Sequence, residues 1–348
     1  MRIRGTAGKA SRASKAALVL TLLATSACGS GASDPASSDE SLVVYSGRNE
    51  KLIKPLLDMF TAASGVQVSV KYGGSAELAA QLLEEGDKTP AAVFLSQDAG
   101  ALGALQDASL LDALPQTELD KVDADFRSAT GSWVGVSGRA RVLVYNSKQV
   151  QEAALPKSVF DLTGPAYKGK VGYAPTNASF QSFVTGMRVT EGEAKTKQFL
   201  TALKANEPKT YDGNALVVDA VDKGEVSFGL VNHYYVYEKA EEAGGIDKLS
   251  VKNHFFPNGD PGALVNVSGV GVLKGKGDER SAKLVSYLLS TAAQTYFAEK
   301  THEYPLIAGV AAEAGLPPLA SIENPAIDLS QLDSLGATLK LLDEVGLT

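Results

Sequence analysis

The chain has 348 residues, and its 40 Asp and Glu residues outnumber its 33 Lys and Arg residues, for a formal charge of −7 at pH 7. This acidic balance argues against nucleic acid or an anionic lipid surface as the partner. The single cysteine excludes an intramolecular disulfide, so the fold must depend on its own hydrophobic core.

The first 27 residues have the pattern of a signal peptide. Basic residues precede an apolar run from Ala16 to Ala24, which is shorter than the roughly 20 residues that span a bilayer. Small residues then precede Cys28 as in a lipobox, although Thr25 stands where leucine is usual. We expect cleavage before Cys28, lipidation of its thiol and anchoring to the outer face of the cell membrane, with unlipidated cleavage as the alternative. Residues 28–40, rich in Ser, Asp, Ala and Pro, are expected to be a flexible tether.

Strand and helix signals then alternate along the chain. Leu42–Tyr45 is a short β-rich run, after which apolar residues recur at helical spacing until Gly65. A second strand, Val66–Tyr72, a second helix, a third strand, Ala91–Leu95, and a further helix follow. This order predicts an α/β lobe with a mostly parallel sheet, whose ligands bind at the carboxyl ends of the strands.

A second lobe of the same character begins at Arg141–Tyr145. It contains the strand signals Val171–Tyr173 and Glu225–Val231. A later strand, Ala263–Leu273, returns the chain to the first lobe. Together with the first crossing, near Gly135–Ser137, it would form a hinge of two crossing strands.

About 308 residues remain after the tether, more than a typical single domain holds. We therefore predict a first lobe from residues 41–136 plus about 267–348, including the C-terminal helices. Residues 137–266 are predicted to form the second lobe.

Loops of glycine, small hydroxyl side chains and arginine follow the predicted strands. Backbone N–H groups at helix starts, small side chains and arginine forks together suit an oxyanion. Each loop alone is also compatible with ordinary turn chemistry. These loops are Ser46–Glu50, Gly73–Ser75, Ser137–Arg139, Thr176–Ser179 and Asn232–Tyr235.

Two adjacent tyrosines, Tyr234 and Tyr235, stand at the expected end of a strand. Neighbouring strand residues point to opposite faces, so both rings can contact one ligand only if the strand has ended and the backbone turns. Otherwise one ring belongs to the core and the other to the surface. The residues alone leave both interpretations open.

The sequence contains no recognisable catalytic constellation. His233, His254 and His302 are the only histidines, and they form neither an HxH nor an HExxH arrangement. Gly269–Gly271 lacks the third glycine of a dinucleotide fingerprint, and no GxSxG elbow occurs. We expect that the protein is not an enzyme.

Seven short motifs occur in order along nearly the whole mature chain: Val43–Arg48, Glu84–Lys88, Val93–Leu102, Ser137–Val142, Lys168–Gly172, Asn232–Tyr235 and Glu303–Pro305. They resemble the motifs of periplasmic ferric-binding proteins, the capture subunits of iron(III) ABC importers. The resemblance implies a two-lobed binding-protein fold of class II type, with the ligand cleft between the lobes and a hinge of crossing strands. It also implies a monomer that delivers Fe(III) to an ABC permease and its ATPase.

By this resemblance, Tyr234 and Tyr235 supply two phenolates to the iron. A free tyrosine has a pKa of about 10, but a bound trivalent cation can displace its proton at neutral pH. Two phenolates offset two of the three charges. A carboxylate, or a captured carbonate or phosphate, would supply the remaining anionic ligands.

The chain departs from the family pattern at the other ligand positions. Asn49 stands where a histidine is common, Glu50 where some members have a tyrosine, and Gln97 where a glutamate falls. A third tyrosine of some members would fall near Ser179. We therefore expect Glu50, or an external anion and water, to complete the shell, with Asn49 and Gln97 as further candidate ligands.

The resemblance also suggests the anion-binding residues. A phosphate-binding loop of the family matches Asn177, Ala178, Ser179, Asn214 and Asn232. Arg48 and Arg139, in loops after other strands, are alternatives that would suit carbonate. Ser46, Ser137 and Gly138 of the same loops are further candidate anion-binding residues. Alternatively, either arginine simply pairs with an acidic neighbour.

Two other functions stay open at this point. Relatives with the same fold bind phosphonates, polyamines or other small organic molecules, on which the tyrosines would stack. An extracytoplasmic enzyme on a lipoprotein tether is the second alternative. Visible absorbance separates the first from iron, because tyrosinate bound to iron(III) is coloured and an organic complex is not.

Overall fold

The computed structural model describes residues 41–347. The predicted signal peptide, Cys28 and the predicted tether lie outside these residues. Within residues 41–347, no helix combines the length and the apolar character that a membrane crossing requires.

Nine strands and eleven α-helices lie within residues 41–347. The strands are β1 (Leu42–Ser46), β2 (Val68–Tyr72), β3 (Val93–Ser96), β4 (Trp133–Asn146), β5 (Val171–Tyr173), β6 (Lys209–Thr210), β7 (Phe228–Asn232), β8 (Val251–His254) and β9 (Val265–Val272). The helices are α1 (Glu50–Ser64), α2 (Ser75–Glu85), α3 (Ala99–Asp107), α4 (Gln116–Leu119), α5 (Ala178–Glu191), α6 (Glu193–Ala205), α7 (Asn214–Lys223), α8 (Tyr234–Ala243), α9 (Glu279–Leu288), α10 (Thr291–Lys300) and α11 (Leu335–Glu344).

Local chemistry sets the ends of helix α1. The side chain of Asn49 accepts the N–H of Lys51 at 2.9 Å and so caps the first turn. The helix ends at Gly65, whose φ of 72° is a left-handed conformation that glycine adopts without strain. Between these ends, Ile53 and Phe60 bury one face of the helix.

The strands form one sheet in the order β2-β1-β3-β9-β4-β7-β5-β6, and β8 pairs with β4. Strand β1 pairs in parallel with β2 and β3, and β5 pairs in parallel with β6 and β7. All pairs that involve β4 or β9 are antiparallel. The sheet is therefore mixed rather than mostly parallel, because the two strands that cross between its halves run against their neighbours.

Strand β4 is a single run of 14 buried residues that belongs to both halves of the sheet. Its first part pairs with β9, from Trp133 opposite Gly271 to Ala140 opposite Val265. A β-bulge between Gly135 and Ser137 interrupts this register. Its second part pairs with β7. Strands β4 and β9 are thus the two crossing strands that the sequence predicts.

The buried apolar side chains form three clusters. One surrounds β1, β3, β9 and the start of β4, and the other two lie on the two faces of the remaining half of the sheet. Leu341 and Leu342 of α11 pack in one cluster with Phe183 of α5. Helix α11 belongs to the predicted first lobe and α5 to the predicted second lobe, so this contact joins the C-terminal helix to the second half. The lobe boundaries stay a prediction.

Candidate metal and anion site

The tyrosine pair lies at the start of a helix. Strand β7 ends at Asn232, and α8 begins at Tyr234, so the backbone turns just before the two rings. Their centroids are 4.3 Å apart and their planes are inclined by 30°. Tyr234 is buried and Tyr235 is partly exposed. Both phenols are therefore close enough to contact one ligand, and the N-terminus of a helix favours negative charge there.

The phenol of Tyr234 is protonated when no cation is near. Burial raises its pKa well above its ordinary value, and the neighbouring phenol of Tyr235 raises it further. The charge of Arg139 acts in the opposite direction. A cation that binds this phenol must consequently displace its proton, as a trivalent metal ion can.

His233, which precedes the pair, is a packing residue. Its Nδ1 accepts the N–H of Ala140 at 3.1 Å, and its Nε2 donates to the carbonyl of His302 at 2.9 Å. Burial lowers its pKa to about 4, so the ring is neutral at pH 7. Both ring nitrogens are occupied, which leaves neither free to bind a metal.

Arg141 on β4 is a site residue that the sequence analysis missed. Its guanidinium is buried and donates to the carbonyl of Leu230 at 2.8 Å and to Ser179 Oγ at 3.2 Å. Its Nε has no hydrogen-bond partner within residues 41–347. Burial lowers the pKa of Arg141 to about 9, while Tyr235 and Tyr234 raise it. It remains a cation at neutral pH.

A sequence signal for Arg141 existed. Ser137, Arg139 and Arg141 alternate along β4, and residues two apart on a strand lie on the same face. This alternation by itself predicts that Arg139 and Arg141 lie on one face of the strand.

The two arginines line a small cavity of about 30 Å³. Its other lining residues are Gln97, Asp98, Ala178, Ser179, Ser182, Phe183, Asn232, Leu264 and Asn266. They come from both halves of the sheet. The cavity exceeds the ~10–15 Å³ that one water needs, so it can hold a small ion or a few ligand atoms.

The predicted asparagines and Ser179 form a connected hydrogen-bond network. Asn177 caps α5 by accepting the N–H of Ser179 at 3.0 Å. Asn214 Nδ2 donates to Ser179 Oγ at 2.8 Å and to Asn177 Oδ1 at 3.2 Å. Asn232 Oδ1 accepts from Arg141 at 3.5 Å. The structure thus brings these four predicted residues together around Arg141.

Arg48 pairs with an acidic neighbour, the alternative to binding an anion. Its guanidinium forms an ion pair with Glu303, with two contacts of 2.9 Å, rather than facing the cavity. Ser137 donates to the same carboxylate at 2.6 Å. Ser46 Oγ accepts the N–H of Arg48 at 3.3 Å. Arg48 and Ser137 therefore donate to Glu303 and are not free donors for an external anion, whereas the hydroxyl of Ser46 only accepts here, so its role as an anion ligand stays a prediction.

Gly138 and Arg139 differ in whether they can contact a ligand in the cavity. Gly138 exchanges both of its backbone hydrogen bonds with Tyr304, each 2.8 Å, so its N–H is not free for an anion and that expectation is wrong. Arg139 donates to the carbonyl of Gln97, lies 3.9 Å from Glu303 through its Nε, and lines the cavity. Gln97 lines the same cavity.

The loop that holds Asn49 and Glu50 lies away from this cavity. Asn49 uses its side-chain oxygen to cap α1, and both residues are exposed. Glu50 lines a different cavity of about 200 Å³, together with Lys54 and Tyr72. The structure therefore does not place these two candidate ligands beside the tyrosines.

Within residues 41–347, no group of three or more His, Cys, Asp or Glu side chains is arranged to hold a metal ion. The phenols of Tyr234 and Tyr235 are not among the residues that line the cavity, but both interact electrostatically with Arg141. The site thus combines these two phenols with a cavity lined by two guanidinium groups, by hydroxyl and amide side chains and by Asp98, whose pKa burial raises.

Comparisons with known proteins identify the family of the chain. Residues 88–329 match the family described as bacterial extracellular solute-binding protein. A Serratia marcescens protein named Fe(3+)-binding periplasmic protein is 33% identical over 94% of this chain and 97% of its own length.

Two solved structures extend the comparison. Iron-bound HitA from Pseudomonas aeruginosa superposes with a TM-score of 0.79 at 34% identity, covering 88% of this chain and 99% of that one. A Trichodesmium protein (IdiA, FutA) in complex with iron and citrate ligands gives a TM-score of 0.76 at 31% identity, with 89% and 100% coverage. The fold is the two-lobed α/β fold of class II periplasmic binding proteins, a class of solute-binding proteins rather than enzymes. This chain belongs to the bacterial extracellular solute-binding proteins and, among them, to the periplasmic ferric-binding protein family.

Proposed function

We propose that this chain captures ferric iron together with an oxyanion at Tyr234 and Tyr235 and delivers it to an ABC permease driven by an ATPase. The observation that carries the proposal is the pair of adjacent phenols at the start of α8, beside the buried guanidinium of Arg141. The iron is the cargo of the site.

The donor set suits Fe(III) and an anion at once. A hard trivalent cation prefers anionic oxygen, and two phenolates offset two of its three charges. Arg139 and Arg141 supply positive charge at the cavity, and Arg141 also interacts electrostatically with both phenols. An oxyanion between them would bind the guanidinium groups through charge-assisted hydrogen bonds and give the iron its remaining oxygen ligands.

The comparisons support the cargo and widen the choice of anion. Of the relatives reported above, one has Fe(3+) in its name, one solved structure is iron-bound, and one is in complex with iron and citrate ligands. Asn49 and Glu50 do not line the cavity, so they supply no oxygen ligands there. Carbonate, phosphate or a tricarboxylate would supply these oxygens instead. The same two arginines argue against a polyamine, because a cationic ligand would meet like charge there.

Lipid anchoring is the other part of the proposal. Cys28 and the signal-peptide pattern lie outside the described residues, so the sequence alone supports this part. A tether of residues 28–40 would keep the folded part close to the permease.

Visible spectroscopy with metal analysis tests the proposed cargo. The mature protein is titrated with ferric iron in the presence of bicarbonate or phosphate, and metal content and absorbance are recorded together. One iron per chain with a tyrosinate charge-transfer band is the expected result. Iron that binds without such a band, or no iron binding at all, contradicts the proposal.

A further inference from the structure

The carboxylate of Glu303 is held as a protein holds a bound oxyanion. Glu303 is buried, in the segment that follows α10. The two terminal nitrogens of Arg48 each donate to one of its oxygens at 2.9 Å, and Ser137 Oγ donates to Oε2 at 2.6 Å. A guanidinium fork and a hydroxyl are a common donor set for carboxylate and phosphate.

This receptor joins distant parts of the chain. Arg48 follows β1, Ser137 belongs to β4, and Ser268 of β9 accepts a further hydrogen bond from Arg48. Burial alone would raise the pKa of Glu303, but the charges of Arg48 and Arg139 hold it below its ordinary value. The carboxylate is therefore ionised at neutral pH.

Glu303 divides the buried arginines of the site into two groups. It neutralises Arg48, which does not line the cavity. Its Oε1 also lies 3.9 Å from the Nε of Arg139, whose terminal nitrogen donates to the carbonyl of Gln97 at the cavity. Arg141 has no carboxylate partner within residues 41–347 and faces the same cavity. Arg139 and Arg141 are thus the guanidinium groups that line the cavity, together with Asp98, whose pKa burial raises and the charge of Arg139 lowers.

We propose that Glu303 is a built-in anion that fills the oxyanion receptor of Arg48 and positions Arg139, so that the site recruits one external anion rather than two. The inference rests on the proposed function, since it concerns the anion that accompanies the iron. Glu303 acts through the two arginines and is a positioning residue.

Removing the charge of Glu303 should open the second anion site. Glu303→Ala removes the carboxylate together with the volume it fills, and leaves Arg48 as a buried cation without a counter-ion, which is unfavourable. A small oxyanion that enters restores the pairing. The variant should therefore bind one more oxyanion than the wild-type chain.

Equilibrium dialysis with radiolabelled inorganic phosphate measures this number. The mature wild-type protein, Glu303→Ala and the double variant Arg48→Gln/Glu303→Ala are compared without iron and with one equivalent of ferric iron. We expect Glu303→Ala to bind one phosphate per chain more than wild type in both conditions. The double variant, which lacks the receptor, should return to the wild-type number.

Two results would overturn the inference. One is a folded Glu303→Ala variant, judged by circular dichroism, that binds no more phosphate than wild type. The other is an equal gain in the double variant, because that phosphate could not lie on Arg48. The phosphate count without iron tests this inference and does not depend on iron binding. The absence of a ferric tyrosinate band in the wild-type protein would contradict only the proposed function.

A second measurement, with formate, covers the case in which Glu303→Ala is too unstable to purify without an anion. Glu303→Ala opens a space of carboxylate size beside Arg48, and added formate should fill it. Formate is expected to raise the Tm of Glu303→Ala but not that of the wild type or of Arg48→Gln/Glu303→Ala. A Tm of Glu303→Ala that does not respond to formate contradicts a built-in anion.

Discussion

The rings of Tyr234 and Tyr235 lie side by side, with centroids 4.3 Å apart, although the two residues are neighbours in the sequence. On a strand they would point to opposite faces. The chain leaves β7 at Asn232 and enters α8 at Tyr234, and this change of backbone conformation brings both phenols to one side. The proposed iron site depends on this contact.

Replacing either ring by phenylalanine should weaken ferric iron binding. Tyr234→Phe and Tyr235→Phe keep the ring but delete the phenolate oxygen, so each should cost more than the ~10–100-fold that loss of an outer-shell partner costs. The visible band should fade or shift. The free energy of unfolding without iron should change by no more than about 0.5–1.5 kcal/mol, the net contribution of one hydrogen bond.

Tyr237→Phe is the matched control for these variants. Tyr237 lies two residues further along α8, is buried against His302, and has a pKa raised by burial to about 12. It should leave the band and the affinity in place. Wild-type colour and affinity in both Tyr234→Phe and Tyr235→Phe would show that the iron lies elsewhere.

Arg141→Lys should weaken the dependence of iron binding on the anion. Lysine keeps the charge but lacks the planar fork that pairs with an oxyanion. We expect the apparent iron affinity in saturating bicarbonate or phosphate to fall by about tenfold, as for one charge-assisted hydrogen bond. Arg188→Lys is the control, because Arg188 pairs with Glu193 and Ser334 outside the cavity. Equal affinities for both variants would contradict an anion at Arg141.

Iron and anion together should close the molecule about β4 and β9. A ligand that contacts both halves of the sheet stabilises only the closed form, by about 4 kcal/mol at a concentration a thousandfold above Kd. Small-angle scattering should show a smaller radius with ferric iron and bicarbonate, and Tm should rise. Superimposable profiles with and without the ligands are the opposing outcome.

Glu238→Gln should stabilise the protein at alkaline but not at acidic pH. Burial raises the pKa of Glu238 to about 7, and nearby Glu303, Glu242 and Glu241 raise it further while His302 lowers it. The folded state therefore holds this proton more tightly than the unfolded state, whose carboxyl has a pKa of about 4.5. The resulting stability is full below about pH 4.5 and is lost as the pH rises through about 7.

Denaturant unfolding at pH 5 and pH 8 measures this difference. At pH 8 the Glu238→Gln variant should be more stable than wild type by about 1–3 kcal/mol, with a much smaller difference at pH 5. Glu242→Gln, an exposed neighbour, should change little at either pH. A gain that is the same at both pH values would mean that the titration of Glu238 is not its cause.

Cys28→Ser should release the protein from the membrane fraction. The substitution removes the thiol that lipidation requires, and residues 28–40 contain none of the proposed iron or anion ligands. Cell fractionation should find the variant in the soluble fraction, with unchanged iron binding. Retention in the membrane fraction would refute lipid anchoring at this residue.

The sequence by itself determined the features that depend on near neighbours. Asn49 caps α1, Gly65 ends it in a left-handed conformation, and the alternation of strands and helices follows from local spacing of apolar residues. The strand predicted over Val66–Tyr72 begins two residues later, at Val68, because pairing with β1 sets its start. The motifs around Tyr234 also indicated the family, which the comparisons confirm.

Only the tertiary structure decided which polar groups are free to bind a ligand. Arg48 and Glu303 are 255 positions apart, and the order of the strands, not local sequence, brings them into contact. The same order pairs Gly138 with Tyr304 and leaves Arg141 beside Ser179 without a carboxylate partner within residues 41–347. A donor that already forms a hydrogen bond with a distant residue is not free to bind a ligand. The spacing of residues in the sequence does not show which distant residues meet in the fold.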